Sequence, residues 1–202
     1  MYKIKEKAGV VGKHTFTFYD MTNPVIARLS EMIEFLLTKR ANFIESNNWS
    51  KEDEDMHACN YRSLIEEMDL YKTREVVVYN LTTNAGLNNI ARRLAGDTTY
   101  TGIINYTALG DDNTAPALGN TALGNEVYRK AVSSQSFSGQ TANIETFFTA
   151  TETSGTYEEY GNFIDGTGTT DSGLLFNRFT QSVTKSATET LNVRSEITLS
   201  NA

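Results

Sequence analysis

The stretch from Ile103 to Arg129, IINYTALGDDNTAPALGNTALGNEVYR, decides the fold of this chain. It begins with a predicted strand, Ile103–Ala108, because its apolar start is typical of a half-buried strand. A long loop follows, from Asp111 to Asn125, and this loop has no charged side chain after its two initial aspartates. A solvated loop usually carries more charge, so we expect this one to pack on the body of its domain. The next strand begins at Glu126.

Short predicted strands fill the rest of the chain after Tyr100. Gly-containing turns separate them, and the last segment alternates cleanly, with Leu191, Val193, Ile197 and Leu199 predicted to face inward. Short antiparallel strands at this spacing are typical of a sandwich. The predicted strands are Ile103–Ala108, Glu126–Phe137, Thr141–Thr151, Tyr157–Ile164, Leu174–Val183 and Thr188–Leu199.

Two strands and a helical hairpin are predicted before this β region. The alternating segment Lys13–Asp20 is expected to point Phe16 and Phe18 inward and to pair with a β-branched strand at Glu75–Asn80. Between the two strands, apolar residues at helical spacing predict two helices within Pro24–Tyr71. The hairpin is therefore expected to be an insertion between neighbouring strands.

The predicted fold class is mainly β: an antiparallel β-sandwich with an inserted α-helical hairpin and one short extra helix at Asn84–Leu94. Residues 1–20 and 73–202 are assigned to the sandwich, and residues 21–72 to the hairpin. With 202 residues and 39% hydrophobic content, the chain is long enough to bury a core of this kind.

Charge and cysteine content exclude several classes of function. The net charge of −7 argues against nucleic acid and against an anionic membrane surface as partners. A single cysteine cannot form a disulfide framework, and we find no apolar segment suited to a signal peptide or a membrane span. We therefore expect the chain to be made in a cytoplasm and to stay soluble.

No constellation of residues predicts catalysis, a cofactor or a metal site. Two histidines and one cysteine are too few for the four ligands of a typical zinc site. Adjacent carboxylates on a strand, as at Glu158 and Glu159, point to opposite faces and cannot act on one bond together. For Glu126 and Arg129 we favour a local ion pair at the start of a strand.

The hairpin carries the residues that we expect to meet a partner. Its first helix has a wide apolar stripe, and two helices hanging from a sandwich cannot bury such stripes against each other alone. Its second helix begins with an acidic run, which suits a helix N-terminus and offers charge to a basic surface. The predicted interaction residues are Ile26, Leu29, Ile33 and Leu37 of the stripe and Glu52, Asp53 and Asp55 of the acidic run.

Several segments together resemble a family of tailed-bacteriophage virion proteins, described as tail-fibre, tail or other structural proteins. The segments are Asn84–Asp97, Ile103–Pro116, Thr121–Lys130, Glu159–Phe163 and Lys185–Leu199, and they span roughly the last 120 residues. The helical hairpin is not part of the shared pattern. Glu159 matches a glutamate of the family motif, which suggests a structural pairing with Arg129 or Arg178.

This resemblance implies a component of a virion. Our leading hypothesis is a structural or adaptor protein that is associated with the tail or neck and anchors fibres or neighbouring ring proteins. Its partners would be other virion proteins, with several copies in a symmetric ring. One alternative is a carbohydrate-binding module contacting the host surface through Tyr157, Tyr160 and Phe163, although alternation places Tyr160 on the opposite face from the other two. A cell-wall hydrolase is a third hypothesis.

Overall fold

Two antiparallel sheets, each of five strands, form the body of the computed structural model, which describes residues 9–200. The strands are β1 (Gly9–Asp20), β2 (Arg74–Tyr79), β3 (Leu81–Thr82), β4 (Ile104–Gly110), β5 (Glu126–Ala131), β6 (Ser134–Ser138), β7 (Thr141–Phe148), β8 (Gly155–Ile164), β9 (Leu174–Lys185) and β10 (Glu189–Ser200). The helices are α1 (Pro24–Glu45), α2 (Lys51–Asp69) and α3 (Asn84–Leu94). The first sheet has the order β2-β1-β10-β7-β6, and the second β3-β9-β8-β4-β5. The predicted fold class is confirmed.

Apolar side chains of both sheets meet in the space between them. Phe16 and Phe18 point inward from β1, as predicted, and are fully buried. The Phe16 ring lies edge-on to Tyr160 of the second sheet, with 4.5 Å between ring centroids, and Tyr160 stacks on Phe179 at 5.2 Å. At the far end of β10, Leu199 is half exposed, so its predicted inward direction is wrong.

A layer of polar side chains also crosses the space between the sheets. From the first sheet, His14 Nδ1 is hydrogen-bonded to Ser195 Oγ at 2.7 Å, and Ser195 Oγ accepts from Asn162 Nδ2 of the second sheet at 3.1 Å. Thr107 Oγ1 donates to Asn162 Oδ1 at 2.9 Å and contacts Thr146 Oγ1 at 2.8 Å. Burial lowers the pKa of His14 to about 3, so its imidazole is neutral at physiological pH.

The helical hairpin is inserted between two neighbouring strands, as predicted, because β1 and β2 pair along Lys13–Phe18 and Arg74–Tyr79. Asn23 caps α1 by accepting from the backbone N–H of Val25, and Pro24 occupies the first turn. A capping box between Ser50 and Asp53 starts α2. Among residues 9–200, none of the helices is long and apolar enough to cross a membrane.

The hairpin covers the outer face of the first sheet and shares a core with it. Ile26 and Ile33 of α1 and Tyr61 of α2 pack in one buried cluster with Tyr19 and Phe147 of the sheet. Each buried apolar side chain of this size contributes about 1.5–3 kcal/mol to the stability of the folded state. The hairpin and the first sheet are therefore stabilised together.

The predicted strand Glu126–Phe137 is wrong, because the chain leaves the second sheet and enters the first within it. β5 ends at Ala131 and β6 begins at Ser134, in different sheets. Val132 and Ser133 are buried in succession at the crossing, which a regular strand with one exposed face would not allow. The Val132 N–H donates to the carbonyl of Asn105, whereas the Ser133 N–H donates to that of Glu145 in the first sheet.

A buried ion pair holds the long loop between β4 and β5 against the sandwich. The Glu159 carboxylate accepts from Arg178 Nε at 2.7 Å and from the backbone N–H groups of Gly124 and Asn125 at 2.9 and 2.7 Å. Arg178 also reaches Asp112 at 3.3 Å. The loop is packed as predicted, and the expected pairing of Glu159 is with Arg178.

The predicted local pair of Glu126 and Arg129 is also confirmed. Arg129 Nε lies 2.5 Å from Glu126 Oε1, and both side chains are almost fully buried. The Arg129 guanidinium covers the Phe163 ring at 4.6 Å and donates to the carbonyls of Thr167 and Ser172, each at 3.0 Å. This pair therefore fastens the β8–β9 turn to the start of β5.

Candidate interaction surface

Helix α1 carries apolar side chains on two sides. The inner side, with Ile26, Leu29 and Ile33, is buried against α2 and the first sheet. The outer side exposes 43% of Met32 and 69% of Phe35. One helix thus serves the core of the chain and also presents apolar surface to solvent.

The exposed side chains border a groove between α1 and α2, which we call the outer groove. Its central cavity has a volume of about 550 Å³. Its lining comes entirely from the two helices: Glu31, Met32, Phe35, Leu36, Asn60, Ser63, Leu64 and Glu67. Ser63 Oγ donates to the carbonyl of Cys59 one turn earlier, so the hydroxyl is engaged within its own helix. The chemistry that this lining offers is the binding of apolar side chains between polar edges.

Smaller cavities continue the outer groove at both ends. Toward the start of α1, the next cavity shares Met32 and Glu67 with the central one and reaches Tyr71. Toward the helix connection, another shares Leu36 and Asn60 and is lined by the chain's single tryptophan, Trp49. The surface therefore runs along most of the length of the hairpin.

A hydrogen-bonded network fixes the helix connection at one end of the groove. The Glu54 carboxylate accepts from Trp49 Nε1 at 2.6 Å and from Arg40 Nε and Nη2 at 2.9 and 2.8 Å. Burial raises the pKa of Glu54, but the hydrogen bonds and charge of Arg40 outweigh it and leave that pKa lowered. The carboxylate is therefore held in its charged form.

Contacts to the sheet crossing orient the hairpin on the sandwich. Arg40 Nη1 donates to the carbonyl of Val132 at 3.0 Å, and His57 Nε2 is hydrogen-bonded to the carbonyl of Ser133 at 2.8 Å. Burial lowers the pKa of His57, although the bond to Ser133 partly opposes this. These contacts hold the end of the hairpin that contains the helix connection against the sandwich.

Acidic side chains border the centre of the groove. Glu31 lies on α1 and Glu67 on α2, and no Lys or Arg belongs to the lining of the central cavity. Neither carboxylate takes part in an ion pair within residues 9–200. Residues 21–72 contain six Lys or Arg and ten Asp or Glu, so the hairpin contributes −4 of the net charge of −7.

The predicted apolar contact residues face the interior instead of a partner. Ile26, Leu29 and Ile33 belong to the buried cluster under the hairpin, and Leu37 is half-buried beside it. The sequence shows that α1 has a wide apolar stripe. It does not show that a face of the first sheet covers part of this stripe. The apolar residues that sequence reasoning missed are at the outer edge, above all Phe35, and the clue was an apolar face too wide for one packing surface.

The three acidic residues predicted to contact a partner have different roles in the structure. Asp53 accepts from the Ser50 N–H and hydroxyl in the capping box, and the backbone bond is the main reason that its pKa is lowered. Asp55 pairs with Lys51 on the helix surface at 2.6 Å. Glu52 is exposed, so it remains available to a partner.

The aromatic side chains considered for carbohydrate binding are buried. Tyr157, Tyr160 and Phe163 are each at most 4% exposed. The pairing register of β8 with β9 shifts between Tyr157 and Glu159, where β9 has one extra residue, and both Tyr157 and Tyr160 belong to the same core cluster. The expectation that Tyr157 and Tyr160 face opposite sides is wrong, because simple alternation does not reveal a shift in strand register.

Comparison with known proteins finds no matching family model, no matching curated protein and no matching solved structure.

Proposed function

We propose that this chain is a structural or adaptor component of a tailed-phage virion, associated with the tail or neck, where it anchors fibres or neighbouring ring proteins. Its mode of action is recognition through a docking surface. Its partners are other virion proteins, and several copies assemble around the particle axis in a symmetric ring.

One observation carries this proposal: the hairpin exposes an apolar groove although its inner face is already packed. Phe35 and Met32 stand beside each other at 69% and 43% exposure above a cavity of about 550 Å³. Contiguous apolar surface of this kind marks an interaction site, since covering it gains roughly 25 cal/mol per Å². A groove between helices is a recurrent docking mode for protein segments.

The resemblance to virion proteins supports the same proposal from a different part of the chain. The resembling segments include Gly124 and Glu159, whose contacts hold the β4–β5 loop, and the paired Glu126 and Arg129. These residues stabilise the sandwich itself. The hairpin lies outside the resemblance and carries the outer groove, so a shared body with an individual docking element accounts for both observations.

Mass spectrometry of purified particles, separated into heads and tails, tests the virion role. We expect peptides of this chain in the tail fraction at a copy number that matches a ring. Absence from both fractions would remove the virion role. A host protein of similar abundance, measured in the same fractions, controls for carry-over from the lysate.

A further inference from the structure

We infer that the outer groove binds an amphipathic α-helix of another protein, with Lys or Arg residues flanking its apolar stripe. This inference rests on the proposed function, because it identifies the chemistry of the partner that the docking surface receives. It goes further in naming the secondary structure and the charge of the docked segment.

The shape of the groove favours a helix. α1 and α2 have 22 and 19 residues, which correspond to lengths of about 33 and 28 Å at a rise of 1.5 Å per residue. The cavities along the groove share lining residues and form one channel parallel to these helices. A third helix laid in that channel would place side chains at i, i+3, i+4 and i+7 into the successive cavities.

The charge of the groove sets the flanks of that helix. Glu31 and Glu67 lie on opposite sides of the central cavity, which has no basic residue in its lining. Arg28 and Lys39, in contrast, line the cavities at the two ends of the groove. A docked helix would place the residues that flank its apolar stripe next to Glu31 on one side and Glu67 on the other. Lys or Arg at those positions would complete two ion pairs, whereas acidic flanks would be repelled.

The same charges argue against a second copy of this chain as the occupant. A two-fold contact centred on the central cavity would bring Glu31 and Glu67 of both copies together. Arg28 and Lys39 would lie toward the ends of the interface. Like charges facing each other across an interface disfavour association. The lining of the central cavity supplies no basic residue that would neutralise them.

Photo-cross-linking in cells that produce the full chain together with the other proteins of its phage tests the inference. p-Benzoylphenylalanine replaces Phe35, and mass spectrometry identifies the cross-linked peptide. We expect a segment of another protein with apolar residues at helical spacing and flanking Lys or Arg. Cross-linking to a second copy of this chain, to a segment without basic flanks or to no protein would overturn the inference.

A pair of charge-reversal variants tests the electrostatic part. E31K/E67K should lower the cross-linking yield about tenfold, because two attractive contacts become repulsive. E34K/E66K changes the net charge equally at exposed positions of the same helices outside the lining of the central cavity, and it should retain the yield. An equal loss in both variants would mean that overall charge acts, and the assignment of Glu31 and Glu67 would be wrong.

The outcome stays distinguishable from that of the virion test. A cross-link to a basic helix from a chain that is missing from particles would keep the inference and remove the virion role. A chain present in tails with no such cross-link would keep the virion role and remove the inference.

Discussion

The carboxylate that anchors a loop in the sandwich and the carboxylates beside the outer groove of the hairpin are placed in opposite ways. In the sandwich, Glu159 and Arg178 are buried, and their contacts hold a loop. In the hairpin, Glu31 and Glu67 border an apolar groove without an ion-pair partner among residues 9–200. The difference indicates that the buried charges stabilise the chain itself, while the exposed ones are available to another molecule. Variants in the two regions should therefore affect different measurements.

The largest loss of stability is expected in the sandwich for Arg178→Met. The substitution leaves Glu159 buried without its cation and releases Asp112, so the free energy of unfolding should fall by about 3–5 kcal/mol. Urea denaturation of the purified chain measures this change. The β4–β5 loop should also become accessible to protease, because the carboxylate that anchors it would lose the cation that holds it in place.

Lys51→Met supplies the matched control for that prediction. It also breaks an ion pair, with Asp55, but both side chains are more than 60% exposed. We expect no measurable change in the unfolding free energy, because solvent screens such a pair. Equal losses in the two variants would contradict the distinction between internal and available charges.

A second large effect is expected on the inner side of the hairpin. Ile33 is fully buried in the cluster shared with Tyr19 and Phe147, so Ile33→Ala should lower the free energy of unfolding by about 2–5 kcal/mol. A single cooperative transition should remain, since helices and sheet share this cluster. Two separate transitions, with only the hairpin lost in the first, would show that the sandwich folds independently of it.

The sequence predicts the parts of the fold that depend on local chemistry. The alternation of Phe16 and Phe18 identified β1, and Asn23-Pro24 identified the start of α1. The pairing of β1 with β2 followed from placing the hairpin between them. Each of these rests on neighbouring residues, where propensity and capping determine the outcome.

The parts that the sequence failed to predict depend on distant packing. Nothing in the alternation around Val132 shows that the chain changes sheets there, and nothing near Tyr157 reveals the register shift between β8 and β9. The apolar width of α1 was visible, but which side the first sheet would cover was not. The sequence-based prediction therefore assigned the contact surface to Ile33, which is buried, whereas the exposed residue is Phe35.

A smaller, pH-dependent effect is expected from His14 in the sandwich interior. Its pKa is about 3 in the folded chain and 6.5 when unperturbed, so below pH 6.5 the unfolded chain binds a proton that the folded chain does not. Stability should therefore fall as the pH falls, by about 2 kcal/mol between pH 6.5 and pH 5. Denaturation at a series of pH values measures the slope.

His14→Gln isolates this contribution from that of other groups. The variant retains a side chain able to form a hydrogen bond with Ser195. Because glutamine does not titrate, the unfolding free energy of the variant should lack the pH dependence that His14 contributes over the same interval. His57, whose pKa is also lowered by burial, contributes equally to both proteins and cancels in the comparison. An unchanged slope would mean that His14 already binds a proton in the folded chain.

Among the apolar substitutions, the smaller effect on stability is expected two residues from Ile33, at Phe35→Ala. The Phe35 side chain is 69% exposed, so its removal should change the free energy of unfolding by no more than about 0.5 kcal/mol. Incorporation into particles should nevertheless be lost, because this side chain borders the outer groove. Ile33→Ala and Phe35→Ala thus remove apolar side chains from opposite sides of one helix. A large loss of stability for Phe35→Ala, or normal incorporation, would show that the outer side does not serve a partner, since a docking residue affects binding and leaves the isolated chain stable.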